Sequence, residues 1–195
     1  VSEASATAAW SGKARDHAGE FGAGIAVSRP VRATDGRLVV GGFKASEFVE
    51  GRVLARIDEA VSAALRYDEA MAGVEPPAAD RGDAFATADR AVWRDYTPQP
   101  DDVVAHMDFA SCLLFSGDMV PTLTDLVPSS GKRPRGFTAA LVIVDGLLAK
   151  ACDVAVLDRW AHVPGLLEYR VACARAASSD IRSIAEGIER ALVSE

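Results

Sequence analysis

The stretch "HMDFASCLLF", His106 to Phe115, decides how the rest of the chain is read. A histidine and an aspartate flank one residue, and a short apolar run follows at once, the spelling of a polar loop that enters a strand. A second apolar run, Val120 to Leu126, is separated from the first by Ser116-Gly117-Asp118, a turn composition, so the two predict a β-hairpin. Asp125 stands at the end of its second strand. A hairpin brings its open ends together, so Asp108 and Asp125 are expected to face one cavity. Phosphoryl transfer uses such a pair, one carboxylate orienting the attacking hydroxyl and another holding Mg²⁺ on the phosphates. The plainer alternative stays open: an H-x-D triplet is common, and Asp125 can simply cap the loop that follows.

Working outward, "AGIAVSRPVRATDGRLVVGGFKASEFVEG" carries two β-branched runs around Asp35-Gly36, a hairpin-type turn. This predicts strands over roughly 24–32 and 37–48, with Pro30 marking an edge or an end. The Ala-rich opening from Ser2 to about Ala18 predicts a helix. Ile57, Ala60, Val61, Ala64, Leu65 and Met71 recur at helical spacing over 55–72, and Gly73 supplies the stop. "EPPAADRGD" reads as a linker, and Asp83 as the N-cap of a helix to about Arg94. Beyond Pro134 everything reads as helix. "GFTAALVIVDGLLAKA" is apolar nearly all round and so predicts a buried central helix. "DVAVLDRWAHV", "PGLLEYRVACARAA" and "SDIRSIAEGIERALVSE" follow, the last opening at Ser179 or Asp180. The fold class is thus α+β: an N-terminal β-containing piece, 1–51, and a mostly helical piece, 52–195, with the hairpin set into it at 104–126.

Composition narrows the partners. Lys+Arg total 21 against Asp+Glu 28 in 195 residues, a net charge of −7. An acidic surface disfavours nucleic acid and anionic membrane, which are themselves anionic. "GKRPR" at 131–135 is the one dense basic run and reads as solvated loop. Cys112, Cys152 and Cys173 have neither disulfide-framework nor zinc spacing, which suits a reducing, cytoplasmic setting. Cys152 and Cys173 read as small core residues. Cys112 beside His106 lacks the wider constellation of a cysteine hydrolase. His17 reads as surface, His162 as packing, and Trp10, Trp93 and Trp160 as core or interface anchors.

"HMDFASCLLF" followed by "PTLTDLVP" resembles the H-G-D-x-x-x-N-x-L-F and "IDF" segments of aminoglycoside-phosphotransferase-like kinases. "RPVRATDGRLVVGGFKASEFVEG", "DAFATADRAVW" and "LVIVDGLLAKACDVAVLDRWAHVPG" resemble an actinobacterial family related to those phosphotransferases. The resemblance runs from about Ala8 to Ala177 and implies a protein-kinase-like fold. It implies ATP and Mg²⁺ as cofactors and a small-molecule hydroxyl as acceptor. Asp108 takes the catalytic-base position with His106 beside it, and Asp125 the metal position. Ser46, Glu47, Phe48 and Val49 take the hinge that meets adenine.

Departures from that pattern bear on activity. Cys112 stands where the pattern has a metal-binding Asn, and a neutral thiol is a poor ligand for Mg²⁺. Met107 replaces a Gly whose position disfavours a side chain. The phosphate-covering loop and the strand carrying the phosphate-pairing Lys have no counterpart; Lys13 lies in the wrong element and Lys44 one strand too late. The resemblance therefore implies a phosphotransferase impaired or inactive in this chain, and the alternative is a degenerate kinase serving as a protein-interaction module. A shortened N-lobe leaves an open sheet edge and predicts self-association.

Overall fold

The structure is a computed structural model that describes residues 1–18, 24–79 and 81–161, with positions 186 and 190. In chain order the elements are β1 (Ser2–Glu3), α1 (Ala8–Ala18), β2 (Ala26–Val27), β3 (Pro30–Val31), β4 (Val39–Val40), β5 (Phe43–Ser46), α2 (Ile57–Ala70), α3 (Ala84–Val92), α4 (Phe109–Cys112), β6 (Leu113–Leu114), β7 (Thr122–Leu123), α5 (Phe137–Leu148) and α6 (Ala155–Arg159). The mixed α+β class expected from the patterning is what forms. The helices expected beyond 161, together with His162, Cys173 and the cap at 179–180, lie outside the described residues, as does the side chain of His17.

Two differences at the N-terminus have local causes. The opening helix starts at Ala8 rather than Ser2, because Ser2 and Glu3 are drawn out as a strand against Lys44 and Phe43 of β5. The second arm of the first hairpin is not one strand. Ala33 to Arg37 makes the turn at Asp35-Gly36 as expected, but the chain folds back again at Gly41-Gly42. Their φ angles of 59° and 84° are the left-handed pair that a two-residue hairpin turn needs. Val40 then pairs with Phe43 and Val39 with Lys44, and Val31 pairs with Ala45. The period of two puts Val31, Val40 and Phe43 on one face, where all three are exposed. Lys44 and Ser46 take the other face.

β2 runs parallel to β7, with Ala26 opposite Thr122 and Val27 opposite Leu123, while β6 pairs antiparallel with β7. Arg52 and Phe115 exchange backbone hydrogen bonds of 3.0 and 2.9 Å. The N-terminal piece and the second hairpin therefore share a sheet across the boundary expected at 51. That hairpin is shorter than its sequence pattern, since Phe109 to Cys112 closes a single helical turn before the strand begins.

The core lies where α2 packs on α5. Ala60, Val61, Ala64 and Tyr67 form the buried stripe of α2. In α5 the residues from Phe137 to Val144 are all buried, as an apolar-all-round pattern requires. Fully burying a Phe137, Leu141 or Ile143 side chain contributes about 1.5–3 kcal/mol each. Trp93 is in this core, and Trp10 and Trp160 pack against it. The indole N–H of Trp10 donates to the Glu75 carbonyl at 2.7 Å and that of Trp160 to Asp58 at 2.6 Å.

The basic run at 131–135 is not the solvated loop expected. Arg133 is 5% exposed and grips the fully buried Asp89 bidentately, at 2.8 and 2.7 Å. Its guanidinium also lies over Trp93, 5.2 Å from the ring centroid. A buried carboxylate on α3 recruited one arginine from the run, and Arg135 alone of its cations is fully exposed. Among the described residues no helix is long and apolar enough to cross a membrane.

Candidate functional site

His106 is buried at the end of the loop from Val103 to Asp108. Its Nε2 lies 3.0 Å from the Asp125 carbonyl oxygen, and its Nδ1 is 3.2 Å from the Asp108 backbone nitrogen. The Val127 backbone N–H also meets Nε2, at 3.2 Å, so both ring nitrogens lie against backbone groups. Tyr67 and Phe109 meet the ring edge-on at 5.4 and 5.3 Å. The imidazole is thus a strut that fixes the Asp108 backbone against the Asp125 segment. Its chemistry is used up by backbone partners.

A second brace comes from beneath. The Thr138 hydroxyl, at the start of α5, accepts the His106 backbone N–H at 2.9 Å and donates to Asp68 at 2.5 Å. The other Asp68 oxygen accepts the Gly136 N–H at 2.7 Å. Asp68 is fully buried with no cation bonded to it, and burial pushes its carboxyl up to about 7 against these hydrogen bonds. Sequence reading passed over Asp68 and Thr138. The signal was there: Asp68 sits four residues after Ala64 and three before Met71, on the apolar stripe of α2. A carboxylate on such a stripe must find donors.

Asp108 and Asp125, expected to face one cavity, each line a different one. Asp108 lines a cavity of about 440 Å³ between the start of α2, the hairpin and α5. Its neighbours there include Val53, Leu54, Phe85, Phe115 and Val142. Asp108 is half-buried, and although it occupies the N-cap position of α4 its side chain caps nothing. Asp145 of α5 lines the same cavity. Arg56 at its edge is engaged elsewhere, paired with Glu59 and hydrogen-bonded to the Gly117 carbonyl at 2.8 Å.

Asp125 lines a different cavity of about 270 Å³, together with Arg15, Lys44 and Ser46. The Lys44 ammonium meets Asp125 Oδ2 at 2.5 Å, and Arg15 stands 3.9 Å from Oδ1. Oδ1 also accepts the Leu126 N–H at 2.9 Å. Arg15 is held by the Ser28 carbonyl at 2.5 Å, and burial lowers its pKa while Asp125 opposes the shift. Lys44, set aside on strand order, reaches Asp125 from β5, which pairs with β4 across the Gly41-Gly42 turn. Cys112 lies between the two carboxylates. Burial pushes its thiol up to about 12, and Asp108 and Asp125 add to the shift.

Mg²⁺ does not fit this arrangement. One Asp125 oxygen is spent on an ammonium, Cys112 remains a protonated thiol, and no group of three or more His, Cys, Asp or Glu side chains among the described residues is placed to hold a metal. The stretch expected to act as a hinge is Ser46 to Val49. Glu47 has both backbone groups occupied, its N–H on Arg29 and its carbonyl on the Ser28 hydroxyl. Phe48 is 91% exposed, and among the described residues neither its backbone groups nor those of Val49 have a hydrogen-bond partner.

Against family models, curated proteins and solved structures, the chain matches none. Its site is therefore read from its own geometry.

Proposed function

We propose that this chain is a small-molecule-binding domain of the aminoglycoside-phosphotransferase-like kind, with kinase-like architecture and degenerate metal-dependent transfer. What carries the reading is the contrast between its two loop carboxylates. Asp108 has no bonded partner among the described residues and fronts a cavity of ligand size. Asp125 is neutralised by Lys44. A hydroxyl bound in the larger cavity would find in Asp108 an acceptor for its proton, held in place through His106 and Thr138. ATP in the related kinases supplies the phosphoryl group and Mg²⁺ neutralises its charge. The donor set around Asp125 does not suit that ion, so no step is routed through it.

Calorimetric titration of ATP, with and without Mg²⁺, tests the reading. Affinity that is unchanged by Mg²⁺, or no affinity in either case, is expected. Tighter ATP binding on adding Mg²⁺ would show that Lys44 yields the metal site and would overturn the degenerate part of the proposal.

A further inference from the structure

The Asp108 cavity specifies more than a ligand of suitable size. Its walls are largely apolar, with Val53, Leu54, Phe85, Phe115 and Val142 among the lining residues. Val53 and Leu54 are 55% and 46% exposed, so the apolar surface continues to the rim. A polyhydroxylated ligand would strand its hydroxyls against these walls, at a cost for each unpaired group. An apolar body would instead remove both surfaces from water.

Asp108 lines the cavity, and Arg56, the guanidinium among its described lining residues, is paired with Glu59. Among the described residues the Asp108 carboxylate accepts no hydrogen bond, although neighbouring Phe109 is buried and Asp108 itself is half-buried. A carboxylate beside apolar walls makes a stronger, charge-assisted hydrogen bond with a ligand ammonium than with a hydroxyl.

We infer that the cavity binds a compact lipophilic amine, its ammonium on Asp108 and its apolar body between Val53, Leu54, Phe115 and Val142. This rests on the reading of Asp108 as the carboxylate facing the ligand, and it names the ligand class that this position takes. It requires neither nucleotide nor metal.

Three probes separate the contributions by calorimetry without nucleotide: 4-phenylbutylamine, its neutral counterpart 4-phenylbutanol, and glucosamine as a polar cation. The expected result is saturable one-to-one binding of the amine, with the other two weaker by about tenfold or more, the worth of one charge-assisted contact. Asp108→Asn should weaken the amine by a similar factor and leave the alcohol unchanged. Ala149→Phe, a substitution at the exposed C-cap of α5 on the cavity wall, should block the amine without lowering the melting temperature. Equal affinity for amine and alcohol, preference for glucosamine, insensitivity to Ala149→Phe, or no saturable amine binding by folded protein would each overturn the inference. Because no ATP is present, a failure here is distinct from a failure of the phosphotransferase-like reading, which the ATP titration reports.

Discussion

Four aspartates of this chain divide into two pairs that share a residue type and little else. Asp68 and Asp89 lie under the helices, fully buried, every oxygen accepting from Thr138, Gly136, Ser130 or Arg133. Asp108 and Asp125 lie on the hairpin, half-buried, each at a cavity. The first pair is closed: its donors are protein groups fixed by packing, and water has no access. The second is open, one carboxylate without a partner and the other in an ion pair at a cavity wall. An aspartate's role in this fold is set by what encloses it.

Breaking the closed pair should cost most. Asp89→Ala would leave the Arg133 guanidinium buried without its counter-charge, a loss of about 3–5 kcal/mol. Urea denaturation measures it. A loss below about 1 kcal/mol would mean that Arg133 escapes to solvent and that the pair is less closed than its burial implies.

Asp68 sharpens the comparison through pH. Its folded carboxyl titrates near 7, above the ordinary carboxylate value, so the folded state holds a proton that the unfolded chain has released. Its contribution to stability is therefore fully present in acid, falls as pH rises towards 7, and is gone above that. Relative to Asp68→Asn, the wild type should lose about 2 kcal/mol of stability between pH 5 and 7. Parallel pH profiles for the two proteins would show that Asp68 is ionised throughout and has found a cation or water.

The smallest effect belongs to the open pair. Lys44 and Asp125 keep side-chain exposures of 23% and 36%, so Lys44→Met should change stability by less than about 1 kcal/mol despite the short contact. A loss as large as that of Asp89→Ala would place Asp125 among the closed carboxylates and remove the contrast on which the functional reading stands.

How much of this was legible beforehand depends on the range of the interaction. Asp83 reads as an N-cap and accepts the Ala86 N–H at 3.1 Å, three residues away. The α5 pattern reads as a buried helix because hydrocarbon on every face leaves no side for water. The Gly41-Gly42 turn was also legible, since two glycines between β-branched and aromatic residues spell a tight hairpin, but the earlier Asp35-Gly36 signal drew the strand straight through it. The site was read only in part. Spacing singled out Asp108, Asp125 and His106 as candidates, and the fold makes His106 a strut between the other two segments.

By itself the sequence determined the elements that rest on neighbours a few positions apart: the caps, the turns, the apolar stripe of α2 and the buried length of α5. Tertiary structure alone decided the partners of the charges. Lys44 meets Asp125 across 81 positions, Arg133 meets Asp89 across 44, and Thr138 meets Asp68 across 70. Periodicity carries no information over such separations. A charge takes whichever opposite charge or donor the packed chain brings within reach once water is excluded, and only the folded backbone fixes which one that is.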